Sequence, residues 1–326
     1  MARSATHPGL HTAGGGTLAK QMLDVGGVET HVVDAGSGPP VLLLHGFADT
    51  CDGWRRIVPR LLAHHRVIAI DIPPFGRSHM PALDDGQTLI DFYGDYFPRL
   101  FEELEIEQAT VIGHSLGGAI ALSIALEQPQ SVRHLCLIAP AGLGVRAPWW
   151  WQALAGRPVN WMALLKLPNP IAAQAIRTAM RGFLEERLLF DNRGMDEAID
   201  CFVDLYGGRR ELERLLSAGR ALIPGYKGDL LQRSRRLACP VTVIWGRHDR
   251  LAPVEHAASF ASAVPQAQVH LLERCGHYPQ VELPTQVNEI LEGTLEEIRA
   301  TKVVSLRPRL SASAPREQRR GAPLPR

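Results

Sequence analysis

Residues 109–118 read Ala-Thr-Val-Ile-Gly-His-Ser-Leu-Gly-Gly. The run Ala109–Ile112 is short and apolar, which predicts a buried strand. Gly113, Gly117 and Gly118 surround Ser115, and the apolar stretch Ala119–Leu126 that follows predicts a helix. Strand, sharp turn and helix in that order place Ser115 on a strained turn with its hydroxyl pointing out, where the flanking positions need almost no side chain. The helix that starts there directs N–H groups and a partial positive charge at the same point. Ser115 is therefore the expected nucleophile.

A hydroxyl is a weak nucleophile near neutral pH, so it needs a base, and the base needs an orienting group. His277 lies in Cys275-Gly276-His277-Tyr278-Pro279, just after the apolar run Gln268–Leu272. Asp249 lies in Trp245-Gly246-Arg247-His248-Asp249, just after Pro240–Trp245. Both follow the carboxyl end of an expected strand, where open α/β sheets build their sites. We read His277 as base and Asp249 as its acid. Thirteen histidines are present, so most are bystanders, with His248 the main decoy. No ligand spacing such as H-E-x-x-H occurs, so no catalytic metal and no cofactor are expected.

His45-Gly46-Phe47 closes the run Val41–Leu44. A tetrahedral intermediate needs two N–H donors on its oxyanion. Leu116, after the nucleophile, supplies one, and Phe47 on this tight turn supplies the other. Asp71 follows the run Arg66–Ile70 and could mimic a catalytic acid. It precedes the nucleophile in the chain, so a structural role is expected.

Further apolar runs at Thr30–Asp34 and His134–Ile138 complete a series that alternates with helix-like segments at Thr88–Leu104, Leu116–Gln128, Val254–Ala263 and Thr285–Ile298. That predicts an α/β fold with a mostly parallel central sheet flanked by helices. Gly26-Gly27 and Gly36-Ser37-Gly38 join the earliest strands and imply an antiparallel start. The core is expected over 17–140 and 231–300. Between them, 141–230 shows no strand pattern and is too long for an ordinary connection. It holds Trp149, Trp150, Trp151 and Trp161 and the amphipathic segments Ile171–Arg181, Met195–Tyr206 and Arg209–Ala221. It is read as a helical cap over the sheet edge, with the four tryptophans as candidate lining of an apolar substrate pocket. Residues 1–16 are small and Gly-rich, and 301–326 are rich in Arg, Pro, Ser and Ala; both are expected to be disordered tails.

The chain has 326 residues, 45% of them hydrophobic, enough for a substantial core. The formal net charge is +1, but 301–326 carry seven basic residues and one acid, so the body is mildly acidic and no footprint for nucleic acid. The basic tail reads as a solvated segment rather than a membrane contact. The five cysteines form no C-x-x-C pair, which fits a reducing, cytoplasmic compartment. No apolar run reaches transmembrane length, and the first residues do not resemble a secretory signal. A homo-oligomer is left open.

His45–Phe47, D-x-P-x-F-G-R-S at Asp71–Ser78, G-H-S-L-G-G at Gly113–Gly118, G-R-x-D at Gly246–Asp249 and G-H-x-P-x-x-E-x-P at Gly276–Pro284 together resemble the α/β-hydrolase superfamily, in its capped esterase, lipase and C–C hydrolase branch. The resemblance runs from about Gly27 to Leu295, apart from the insertion. It implies a serine hydrolase acting through an acyl-enzyme, and the first expectation is a carboxylic ester of a small or medium apolar substrate. The alternative is hydrolytic C–C cleavage of a vinylogous diketone by the same triad. That branch commonly carries Trp after the catalytic His, where this chain has Tyr278. Relatives with an aspartate nucleophile are disfavoured by Ser115.

Overall fold

The computed structural model describes residues 10–11, 16, 18–80, 83, 87–144, 201–206, 209–222 and 228–305. Among the described residues eight strands form one sheet: β1 (Gln21–Asp24), β2 (Glu29–Gly36), β3 (Pro40–Leu44), β4 (Arg66–Ile70), β5 (Ala109–His114), β6 (Val132–Ile138), β7 (Val241–Gly246) and β8 (Ala267–Leu272). Their spatial order is β1-β2-β4-β3-β5-β6-β7-β8. β1 and β2 pair antiparallel, as do β2 and β4, and every pairing from β4 onward is parallel. The antiparallel start read from the glycine turns is thus present. Central strands β3, β5 and β7 are buried along almost their whole length. That is why they read as continuous Val, Ile and Leu runs rather than as alternating patterns.

Helices cover both faces. α1 is the single turn Val58–Leu61, and α2 spans Leu89–Glu103. The start of α2 is fixed by a capping box, in which Thr88 Oγ1 accepts the Asp91 N–H at 3.2 Å and Asp91 Oδ2 accepts the Thr88 N–H at 3.0 Å. Its Phe92, Tyr93, Tyr96, Phe97 and Phe101 enter the larger of two buried clusters. α3 (Leu116–Glu127) is apolar nearly all round and correspondingly buried. α4 (Arg209–Leu222), α5 (Leu230–Arg233), α6 (Glu255–Ala263), α7 (Pro279–Glu282) and α8 (Pro284–Ser305) complete the helices used below. All five cysteines are free thiols. Among the described residues no helix is long and apolar enough to cross a membrane.

Both terminal boundaries differ from the sequence reading. Leu10, placed in a disordered tail, is fully buried in the second cluster, among Val33, Val41, Trp54 and Ile57, and Leu18 N–H bonds its carbonyl at 2.8 Å. One leucine among small residues leaves little compositional trace, yet burying it is worth about 2 kcal/mol. At the other end α8 continues to Ser305, so 301–305 are helical although the reading placed them in the tail. Val287, Leu291 and Leu295 recur at helical spacing on its buried side, and after Gly293 no Gly or Pro interrupts the sequence until Pro308.

The insertion leaves the sheet after β6, which lies between β5, the strand that leads to Ser115, and β7, the strand that leads to Asp249. Residues 201–206 and α4 are helical, in keeping with the segments ending at Tyr206 and Ala221. Tyr206, Leu215, Ala218 and Leu222 join the main buried cluster, which seats this part of the insertion on the core. Trp149, Trp150, Trp151, Trp161 and the segment Ile171–Arg181 lie outside the described residues, as do most of the two tails.

Candidate active site

Ser115 occupies the step between β5 and α3 with φ 51° and ψ −114°, a conformation an L-residue holds only when its surroundings enforce it. Three main-chain bonds do so. Ser115 N–H donates to Ile138 O at 3.0 Å, and Ser115 O accepts from Ala119 at 3.1 Å and Ala141 at 2.9 Å. The turn is also too crowded for side chains. A Cβ on Gly113 would overlap the Gly117 carbonyl, and one on Gly117 would overlap the Leu44 carbonyl. The glycines of the motif are there for space.

The side chains of Ser115, His277 and Asp249, 162 and 28 residues apart in sequence, form one chain of hydrogen bonds. His277 Nε2 lies 3.0 Å from Ser115 Oγ, and His277 Nδ1 lies 2.7 Å from Asp249 Oδ2. A carboxylate only accepts, so Nδ1 carries the proton and the neutral ring presents a bare Nε2 to the serine hydroxyl. Asp249 is itself held, because its Oδ1 accepts the N–H groups of Leu251 and Ala252, each at 2.8 Å. Both Asp249 and His277 are buried.

The loop carrying His277 is clamped by a residue whose role the sequence reading did not state. Glu282, in α7, accepts the Gly276 N–H on Oε2 and the Tyr278 N–H on Oε1, both at 2.9 Å. It grips the chain on either side of His277. The Glu of the G-H-x-P-x-x-E-x-P pattern was visible in sequence, and its spacing of five from His277 was the available signal.

The loop after β3 lies against Ser115. A Cβ on Gly46 would sit 3.4 Å from Ser115 Cβ. His45 holds the loop in place: its Nε2 accepts the Ile72 N–H at 2.8 Å, so its Nδ1 is the donor to Gly46 O at 2.7 Å. The Asp49 N–H bonds the same carbonyl at 3.3 Å. A trans peptide is planar, so fixing the Gly46 C=O also fixes the Phe47 N–H, which points the opposite way. Leu116 opens α3, and its N–H has no carbonyl four residues back to bond within the helix. The Phe47 ring packs edge-on against Phe75 at 5.2 Å. A Cβ on Gly219 of α4 would come within 3.3 Å of it, so the insertion rests on the Phe47 ring. Tyr206 adds a second bridge by accepting the Gly76 N–H at 2.7 Å.

Asp71 is not part of this chain of bonds. It is fully buried and accepts from Cys51 N–H at 2.7 Å, Arg77 N–H at 2.9 Å and the Arg77 guanidinium at 3.3 Å, with His31 Nδ1 also at 3.3 Å. Arg77 continues to Asp52 at 2.8 Å. His31, Cys51 and Asp71 bring possible ligand atoms within 4.8 Å of one another. Asp71 already shares a guanidinium and a main-chain N–H, so the set forms a hydrogen-bond knot poorly suited to a second cation. Burial alone would raise the Asp71 carboxyl. The hydrogen bond from His31, with the attraction of His31 and His45, holds it well below the usual carboxylate range instead. A group with a depressed folded pKa stabilises the fold above its unfolded value, about 3.9, and that stabilisation is lost as pH falls through the folded pKa. Asp71→Asn is accordingly expected to cost about 3 kcal/mol near neutrality. The gap from wild type should narrow as thermal melts are taken below about pH 4. A gap independent of pH would contradict this.

A sequence model of the alpha/beta hydrolase fold matches residues 39–284, most of the chain. The chain belongs to the alpha/beta hydrolase family. This α/β hydrolase is 30% identical over 266 residues to a 2-hydroxy-6-oxononadienedioate/2-hydroxy-6-oxononatrienedioate hydrolase of Comamonas testosteroni, covering 80% of this chain and 88% of that one. It is 29% identical to a 2-hydroxymuconate semialdehyde hydrolase of Pseudomonas sp. (strain CF600), covering 85% and 94%. Among solved structures, the meta-cleavage product hydrolase of Pseudomonas fluorescens IP01 superposes with a TM-score of 0.71 at 24% identity, over 86% of this chain and 98% of the other. A likeness at that identity speaks for the fold alone.

Proposed function

We propose that this α/β hydrolase is a serine-dependent enzyme that cleaves a carbon–carbon bond of a vinylogous diketone, of the ring-fission type acted on by its named relatives. The observation that carries the reading is the continuous Ser115–His277–Asp249 relay in a chain that is 30% and 29% identical to two relatives named as 2-hydroxy-6-oxo-dienoate-type hydrolases. Those names favour this activity over the ester hydrolysis expected first from the sequence.

The chemistry follows from the geometry. Ser115 Oγ adds to a substrate carbonyl as its proton passes to His277 Nε2, and Asp249 stabilises the imidazolium. The Phe47 and Leu116 N–H groups receive the oxyanion. Collapse breaks the C–C bond. The released pair delocalises into the conjugated carbonyl, and the leaving carbon takes the proton from His277. Water, deprotonated by His277, then releases the acid and restores Ser115.

Ester cleavage uses the same steps with an alkoxide as leaving group, and Tyr278 in place of the tryptophan common to the C–C branch favours it as the second reading. A dienoic ring-fission product assayed beside aryl and alkyl esters separates the two. The expected result is a kcat/KM for the dienoate at least about tenfold above the best ester. The reverse order would make the protein an esterase.

A further inference from the structure

His114, between Gly113 and the candidate nucleophile, is 1% exposed. Its Nε2 lies 2.8 Å from the main-chain carbonyl of His277. Its ring stands 5.0 Å from the His277 ring and 5.1 Å from the Tyr278 ring. Its Nδ1 is buried and has no hydrogen-bond partner among the described residues. That nitrogen faces Gly46, where an added Cβ would approach it to 3.0 Å. A carbonyl only accepts, so Nε2 carries the proton and Nδ1 is bare.

We propose that His114 is a positioning residue for the base: an Nε2-protonated imidazole whose bond to the His277 carbonyl holds that residue in register with Ser115. The inference rests on the triad reading given above. Glu282 grips the N–H groups on either side of His277, and His114 grips the carbonyl between them, so three consecutive residues are fixed at the main chain. The two grips differ in what they are anchored to. Glu282 belongs to α7, close in sequence to the base. His114 ends β5 and is covalently next to Ser115, so its bond refers the position of the base directly to the nucleophile.

Neutrality is required by the same packing. The titratable groups that face His114 are His277 and Tyr278 from the loop after β8, and His45 from the loop after β3. A cation at His114 would oppose the imidazolium that His277 must become. Burial first, then His277, keeps the His114 imidazole well below its ordinary range. Gly46 approaches Nδ1 closely, and among the described residues that nitrogen has no partner to take a second proton.

Glutamine and asparagine separate this role from simple packing. The amide nitrogen of Gln stands where Nε2 stands and can reach the His277 carbonyl. That of Asn stands where Nδ1 stands and falls short. His114→Asn and His114→Leu are expected to lower kcat about tenfold with KM within about twofold, the size of one lost buried hydrogen bond. His114→Gln should recover most of the loss. Equal kcat in the Asn and Gln variants would overturn the proposal. Nitrogen NMR of the histidine-labelled wild type supplies a second readout that needs no substrate. His114 should show a bare Nδ1 and a protonated Nε2, unchanged across the range where free imidazole titrates. The opposite tautomer, or titration there, would overturn it. Fluorophosphonate labelling of wild-type Ser115 tests the triad reading separately. If labelling fails, the triad reading falls and the NMR result alone decides the state of His114.

Discussion

Ser115→Ala is expected to abolish turnover of both dienoate and ester substrates, with a loss on the order of 10⁶ in kcat. The substitution removes the atom that lies 3.0 Å from His277 Nε2 and leaves the rest of the site in place. In comparable triads the oxyanion donors and substrate binding that remain still exceed water by roughly 10³–10⁴. The fold should survive. The strained conformation of residue 115 is enforced by main-chain bonds to Ile138, Ala119 and Ala141 that an alanine keeps. The melting temperature should therefore stay within a few degrees of wild type, and labelling by a fluorophosphonate should disappear. A folded Ser115→Ala protein with undiminished hydrolysis of the best substrate would remove Ser115 from the mechanism.

The strand–turn–helix at 109–118 was legible because each part is locally encoded: an apolar run, glycines at fixed offsets, then a second apolar run. The parallel strands were legible for a related reason. Burial on both faces leaves no solvent-facing positions, so β3, β5 and β7 stand out against their polar connections. The candidate triad could be assembled from chain order, since Ser115, Asp249 and His277 each follow a strand end. What could not be read were the contacts made across the chain at long separation. His114 touches the His277 carbonyl 163 residues away. Within the motif it looks like a residue that merely separates Gly113 from Ser115. Glycine 219 gives no hint in sequence that its bare Cα accommodates the Phe47 ring. The terminal boundaries failed for another reason. Composition averages over a segment, whereas one buried leucine or one extra helical turn depends on single side chains.

The choice between ester and C–C cleavage lay beyond the motifs on physical grounds. Nucleophile, base, acid and oxyanion donors act on the carbonyl, which both reactions share. Leaving-group stability is decided by the substrate's conjugation and by the walls around it, and the tryptophans expected to form those walls belong to the insertion. The relatives, matched over about four-fifths of the chain, carry that part of the reading.

Asp249→Asn is expected to leave the protein folded and to lower kcat by roughly 10⁴, the size of effect known for the equivalent change in a serine-protease triad. In the native site one carboxylate oxygen takes the His277 Nδ1 proton while the other takes two main-chain N–H groups, from Leu251 and Ala252. The carbonyl oxygen of an asparagine can keep the latter two bonds, and this preserves the loop. Its NH₂ group then faces Nδ1 and, being a donor, requires a bare nitrogen there. The ring proton moves to Nε2, the one position from which His277 must accept from Ser115. Ground-state structure is nearly unchanged, yet the base is occupied. Asp71→Asn is the matched control, because Asp71 bonds Cys51, Arg77 and His31 and has no place in the relay. It should cost stability and leave kcat of the folded protein within about threefold of wild type. Measured side by side on one substrate, a 10⁴ loss in the Asp71 variant with near-normal turnover in the Asp249 variant would reverse the assignment of the acid.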